Sequence, residues 1–259
     1  MYVQQNHQGW SIRHYDAVGS TQDVVKACID EDAASGSEGA SSPVRHVARA
    51  DIQTLGRGRH GREWVSSQGN LFATFAISPR LPLSSFGLYA YIGALALSDA
   101  ARFYDADKRA RIELKWPNDL MINDQKAAGI LMEHYNAAER DYLVIGMGVN
   151  LKAAPEGKSV LQECFACDDI PPVEFLEKLL ERFDHWEKLL NERGAAAIIA
   201  PWQNRAWRLD QSITAKLGDQ RISGQFDHID EVGSMIIQLE TGEKRRITAG
   251  QLYFGDEEP

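Results

Sequence analysis

Residues 56–64 read GRGRHGREW, three glycines interleaved with Arg57, Arg59 and Arg62 and closed by Trp64. Glycine leaves the backbone free to bend and bares its N–H groups, and each guanidinium presents a planar fork of donors to phosphate or carboxylate oxygens. The stretch has too little apolar surface to order itself by burial, so it is expected to be a loop that orders around an anionic ligand. It is not the GxxxxGK[ST] loop of nucleotide triphosphatases. On its own the segment also fits an RG-type RNA-binding run or a solvated surface loop.

A second group follows downstream: KWPND at 115–119, Lys126 within QKAAGIL, and GMGVN at 146–150. Pro117 fixes a turn and its missing N–H excludes a central strand position, which frees Asn118 and Asp119 to point at a ligand. Lys115 can equally pair with Asp119. Lys126 follows a hairpin turn, so its ammonium is expected on a strand rather than on a mobile loop. Gly129, Gly146 and Gly148 inside strands mean close backbone approach or, for GMG, a β-bulge. Ser20 and Thr21 at a helix start, with Gln53, supply hydroxyls and an amide.

The spacing from GRGRxGRxW to KWPND and on to Lys126 resembles the biotin–protein ligases (biotin–[acetyl-CoA-carboxylase] ligases), from about residue 12 to the C-terminus. The resemblance implies a lipoate/biotin-ligase-type catalytic domain followed by an SH3-like one. It implies ATP and biotin as substrates, with Mg²⁺, joined as biotinyl-5′-AMP before transfer to a lysine of a biotin carboxyl carrier protein or carboxylase domain. Lys126 and Arg59 are then the expected catalytic pair, with Lys126 bridging the biotin carboxylate and the α-phosphate. Biotin is expected against Ser20, Thr21, Gln22, Gln53, Arg57, Gly58, Arg59, Lys126, Gly129, Gly146 and Gly148. The nucleotide is expected against Arg57, Arg59, Arg62, Trp64, Lys115, Asn118, Asp119, Lys126 and Asn150. Trp64 either stacks on adenine or is a core tryptophan, and Asp119 supports Mg²⁺ or the adenylate.

Two departures from the family pattern stand out. The usual STN reads Ser20-Thr21-Gln22, one methylene longer, and Ala249-Gly250 is followed by Gln251 where an acidic residue is common, so that region contributes no site residue. Many biotin–protein ligases also carry an N-terminal helix-turn-helix domain. Only 19 residues precede Ser20, too few for three helices of roughly 11 residues each, and the expectation is a monofunctional catalytic chain that does not bind DNA. The alternatives are a lipoate- or octanoate-handling relative, which lacks this motif pairing, and a nucleic-acid-binding regulator, which needs a basic surface.

Composition argues against that regulator. The 259 residues carry a net charge of −9, so the positive charge of the loop is local and suits one small anion rather than a polymer. No apolar run approaches the roughly 20 residues that span a bilayer, and MYVQQNHQGW lacks the regions of a signal peptide, so a cytoplasmic protein is expected. Cys164 and Cys167 have CxxC spacing without a second pair or histidines to complete a zinc site.

The positioning elements follow from pattern. A strand at 10–18 leads into a helix whose Ser20 and Asp23 resemble a capping box. Residues 33–42 are a small, polar connection, and 44–51 a strand. NLFATFAI (70–77) is a strand and 84–104 a long buried helix. RIELKW is a strand, residues 119–134 a hairpin turning at Asn123-Asp124, and 141–150 a strand. After an irregular 152–170 come helices at 172–192 and 195–209, the second interrupted by Pro201. From 211 short β segments predict a compact barrel. The fold class is α+β: a mixed sheet backed by helices (domain 1–210), then the small barrel (211–259). An exposed sheet edge can pair two copies as a homodimer or dock the carrier domain by strand addition.

Overall fold

The computed structural model describes residues 2–34, 45–217, 220–248 and 251–254, the last four by backbone alone. An eight-stranded mixed sheet runs in the order β1-β2-β3-β4-β8-β7-β6-β5. Its strands are β1 (Val3–His7), β2 (Trp10–Val18), β3 (Arg45–Gln53), β4 (Leu71–Ile77), β5 (Ile112–Lys115), β6 (Asp119–Ile122), β7 (Gln125–Ala137) and β8 (Arg140–Val149). Among the described strands only β2 and β3 pair in parallel, and the crossover between them carries helix α1 (Thr21–Ala34).

Helix α1 lies on one face, where Val25 and Ile29 bury against Ala48, Ala76 and Val144. Residues of opposite parity, Val47, Phe75 and Ile145, join the main core on the other face. That face is covered by α2 (Leu88–Tyr104) and α4 (Pro172–Arg193). In α4 the buried residues Phe175, Leu176, Leu179, Leu180, Phe183, Trp186 and Leu190 fall at three- and four-residue spacing, one stripe of a helix. In α2 apolar residues surround the whole helix, so it is covered on all sides.

A short helix α3 (Leu161–Cys164) and α5 (Ala196–Gln203) lead into a second, five-stranded antiparallel sheet ordered β12-β11-β10-β9-β13. Its strands are β9 (Ser212–Leu217), β10 (Gln220–Ile229), β11 (Met235–Gln238), β12 (Lys244–Ile247) and β13 (Gln251–Phe254). Among the described residues no pairing between β12 and β13 is seen, and the strands form a small antiparallel sheet at the position expected for the barrel. Residues 205–207 join the two sheets: Leu114 N–H donates to Arg205 O at 2.7 Å and Trp207 N–H to Leu114 O at 2.9 Å.

Several boundaries differ from the sequence expectation. β1 forms a hairpin with β2 through Gln8-Gly9, both at positive φ; its polar, exposed VQQNH gave no alternating signal. Helix α2 begins at Leu88, after a 3₁₀ turn at Leu83–Ser85 that follows Pro82. Helix α5 ends at Gln203, because 205–207 extend along β5. Ala33 and Ala34 belong to α1; the rest of the 33–42 connection falls outside the described residues except where α1 covers it, as do Ala249 and Gly250. The expected hairpin turn stands: Asn123 and Asp124 have φ of 50° and 65°, the pair of left-handed residues a tight turn demands.

Candidate active site beneath the glycine–arginine loop

The α1 face of the sheet is hollowed where large side chains give way to glycine. One cross-strand row reads Ala48, Thr74, Gly146, Leu131, and the next Ala50, Phe72, Gly148, Gly129, Asp119. Above this trough is a cavity of about 520 Å³, within the usual size of small-molecule sites. Every residue singled out from the sequence as a site residue lines it, from Ser20 to Asn150.

One end is polar and uncharged. Thr21 donates through both its N–H (2.9 Å) and its hydroxyl (3.0 Å) to Gln53 Oε1, and its Oγ1 also meets Thr74 Oγ1 at 2.8 Å. The Gln53 carbonyl is thereby used, and its amide NH₂ reaches Ser66 Oγ only at 3.5 Å. Gln22 donates to Leu131 O at 3.2 Å, and its amide packs over Gly146, where a Cβ would meet it at 3.3 Å. The extra methylene of Gln22 thus spans from the helix start to β7. Ser20 Oγ accepts only a long bond from Gln22 N–H at 3.4 Å. The capping box is not formed, because the Asp23 carboxylate turns to Arg57, 2.6 Å away.

The other end is charged. Lys126 Nζ sits 2.7 Å from Asp119 Oδ1 and 5.4 Å from the centre of the Trp64 ring. Both come from the β6–β7 hairpin, so the ion pair rides on a sheet rather than on a loop. Asn118 Nδ2 donates to Ile130 O (2.7 Å), and its Oδ1 accepts from Arg59 Nη1 (3.1 Å). Burial lowers the proton affinity of Arg59, Asp119 counteracts this and Arg62 adds to it; a guanidinium stays charged throughout.

The loop between these ends is shaped by its own backbone. Trp64 N–H donates to Gly56 O (3.0 Å) and Gly58 N–H to Arg62 O (2.7 Å), with a 3₁₀ turn at Arg59–Gly61. The Trp64 indole lies flat on the trough: a Cβ at Gly148 would fall 2.3 Å from the ring and one at Gly129 2.9 Å. These glycines give close approach as expected, but the group that approaches is Trp64, whose buried Nε1 has no partner.

Two of the lining residues also have partners beyond the cavity. Lys115 carries its ammonium over the Trp207 ring, 4.6 Å from the centroid. Asn150 donates to Ser159 O at 3.3 Å, so its amide braces the neighbouring loop while still bordering the cavity. Sequence reasoning missed Thr74, the lone hydroxyl in the apolar β4, and Lys158, whose loop carries no periodicity. Cys28, Cys164 and Cys167 are free thiols, each pushed up by burial.

The trough, uncharged and polar at one end and cationic at the other, can be set beside known proteins. The model of the biotin/lipoate A/B protein ligase family matches residues 34–150. The biotin–[acetyl-CoA-carboxylase] ligase of Paracoccus denitrificans is 34% identical over 212 residues, covering 78% of this chain and 88% of its own. The bifunctional ligase/repressor BirA of Escherichia coli is 28% identical, and the match spans 60% of its length. Among solved structures, the biotin protein ligase from Aquifex aeolicus in complex with biotin and ATP superposes with a TM-score of 0.77 at 25% identity, covering 94% of this chain and 99% of that one. With the trough, the arginine roof and the hairpin lysine in place, these likenesses make the chain a member of the biotin–[acetyl-CoA-carboxylase] ligase family.

Proposed function

We propose that the protein is an ATP-dependent biotin–protein ligase. Biotin's carboxylate oxygen attacks the α-phosphorus of ATP, the bond from that phosphorus to the bridging oxygen breaks, and pyrophosphate leaves with the electron pair. The lysine amine of a carrier domain then attacks the acyl carbon of biotinyl-5′-AMP, AMP departs, and the amine proton passes to solvent. The observation that carries this reading is the Lys126–Asp119 ion pair, held on the β6–β7 hairpin at the cationic end of a cavity whose other end offers Thr21, Gln22 and Gln53.

Asp119 fixes the ammonium of Lys126 before substrate arrives, so no reorganisation is needed when charge builds on the phosphate oxygens. A preorganised donor of this kind contributes about 10²–10³ in rate. The Gln53 amide N–H groups and the Ser20 hydroxyl suit the carbonyl of biotin's ureido ring. The trough beneath Trp64 takes the apolar tail, with Arg59 and Trp64 closing over the acyl chain and nucleotide. Arg57 and Arg62 stand over the phosphates, while Asn118 and Asn150 hold the loops that frame the nucleotide. Glu63, Asp119 and Asp124 are the carboxylates on the wall, of which Asp119 is assigned to support Mg²⁺ or the adenylate, and no cluster of three metal-ligating side chains exists among the described residues. Mg²⁺ would enter with the nucleotide, held by its phosphates and water with Asp119 alongside, and would offset phosphate charge.

The acceptor is a biotin carboxyl carrier protein or carboxylase domain, and the need for ATP places the reaction in the cytoplasm. Residues 1–210 form the catalytic domain in this reading and 211–259 its C-terminal companion. The test is incubation with biotin, Mg-ATP and a carrier domain, reading the mass gain on its lysine. The gain should appear only with all three components, and Lys126→Ala should slow it by about 10²–10³. A Lys126→Ala variant as fast as the parent rejects the assignment.

A further inference from the structure

The cations on the cavity wall are unequally compensated. Arg57 is matched by Asp23 at 2.6 Å and Lys126 by Asp119 at 2.7 Å. Arg59 donates to Asn118. Lys158, also on the wall, is exposed and has no carboxylate partner among the described residues.

Its placement is built rather than incidental. Lys158 and Lys126 are partners in a parallel β-bridge, and bridge partners project from the same face. The segment carrying Lys158 is fastened on both sides. Lys158 N–H closes a turn onto Pro155 O (3.2 Å), and Ser159 N–H donates to Lys126 O (3.0 Å). Ser159 Oγ donates to Ile122 O (2.8 Å). Two lysines thus leave neighbouring backbone positions on one cavity wall, and of the two only Lys126 has a carboxylate partner among the described residues. Like charges so placed disfavour each other unless an anion joins them, and the arrangement leaves about one positive charge unmatched beside the residue that faces the α-phosphate.

We propose that Lys158 is a phosphate-binding residue for the β- and γ-phosphates of ATP and for the pyrophosphate they become. This rests on the ligase reading of the same site. With the α-phosphate at Lys126, the next phosphates along the chain meet the next lysine along the ledge. When the bridging oxygen leaves the α-phosphorus it carries the electron pair onto pyrophosphate, and Lys158 stabilises that charge. Its exposure at the mouth gives the product a way out.

The test compares the wild-type protein with Lys158→Ala and Lys158→Arg in biotin-dependent ATP–pyrophosphate exchange. In a second assay, preformed biotinyl-5′-AMP is supplied with a carrier domain. The Ala variant should lose at least about tenfold in kcat/KM for ATP, the scale of one hydrogen bond to a charged group. The KM for pyrophosphate should rise in parallel. The KM for biotin and transfer from preformed adenylate should match the wild type, and Arg should restore most of the loss. If Lys158→Ala keeps kcat/KM for ATP within about twofold, too little for a charged contact, or slows transfer from preformed adenylate equally, the assignment is overturned. A wild-type protein without biotin-dependent exchange overturns the ligase reading and this proposal together. Normal exchange with an indifferent Lys158→Ala overturns this proposal alone.

Discussion

Arg59 is the loop residue that crosses the cavity to touch the opposite wall, through Asn118 Oδ1 at 3.1 Å. Asn118 is in turn held to β7 by its own amide and carbonyl, so this hydrogen bond helps fasten the loop to the sheet. Arg59→Gly removes it and should loosen the loop over the reactive anhydride. The expected outcome is biotinyl-5′-AMP in solution and labelling of lysines on bystander proteins; a variant releasing no detectable adenylate counters it. Residue types were the most legible part of the sequence. Arginines between glycines, and a lysine past a hairpin turn, announce anion chemistry whatever encloses them. Thr74 and Lys158 escaped because their meaning depends on partners distant in sequence: Thr21 for one, Lys126 for the other.

Strands β7 and β8 make the site by what they omit. A methyl group at Gly148 would fall 2.3 Å from the Trp64 ring, whereas one at Gly146 would sit 3.3 Å from the flexible Gln22 amide. Overpacking of a fixed core costs about 1–3 kcal/mol, but Trp64 belongs to a loop that can lift. Gly148→Ala should therefore show a modest shift in denaturation midpoint and at least about a tenfold fall in kcat/KM for adenylation, with Gly146→Ala much milder. Equal effects in the two variants would disprove this ranking. The glycines were readable as close-approach sites, but not what approaches, since nothing local ties residue 64 to residue 148.

β5 carries a different cost. Glu113 Oε2 is buried without a partner, and burial raises its carboxyl above the usual value, against Arg111, with Asp124 adding and Arg208 opposing. A carboxyl whose folded-state pKa is raised favours the fold fully only below its unfolded pKa, and loses that contribution as pH rises through the folded value. Glu113→Gln should thus raise Tm at neutral pH, with the gain shrinking as pH falls towards about 4. Thermal scans across that range check it; a gain that grows on acidification contradicts it.

At the scale of the molecule, the two sheets share one apolar core in which Ile213, Phe226, Met235 and Ile237 join residues of the larger sheet. A polar chain also crosses it: Trp116 Nε1–H donates to Tyr91 Oη (3.0 Å), and Tyr91 O–H donates to Gly233 O (2.5 Å). Gly233, at φ 85°, lies against the ring, where a Cβ would meet Tyr91 at 2.7 Å. Tyr91→Phe strands a buried indole donor at a cost of about 1–3 kcal/mol, measurable by urea unfolding. Because Trp116 belongs to KWPND, the KM for ATP should rise as well; unchanged stability and KM would refute the coupling. The change of texture near residue 211 marked the second sheet from sequence. Its strand order and the attachment of 205–207 to β5 were not legible, because both depend on pairing between distant segments.

Five of the six tryptophans, Trp10, Trp116, Trp186, Trp202 and Trp207, are buried. Trp64 alone combines partial exposure with a place on the cavity wall, its ring beside a lysine ammonium. The molecule therefore carries a native optical reporter. Ultraviolet emission that changes on filling the trough will originate from this indole and from the buried Trp116, also on the wall, over a steadier background from the other four. The difference spectrum between the parent and Trp64→Phe will isolate the Trp64 contribution without any attached dye.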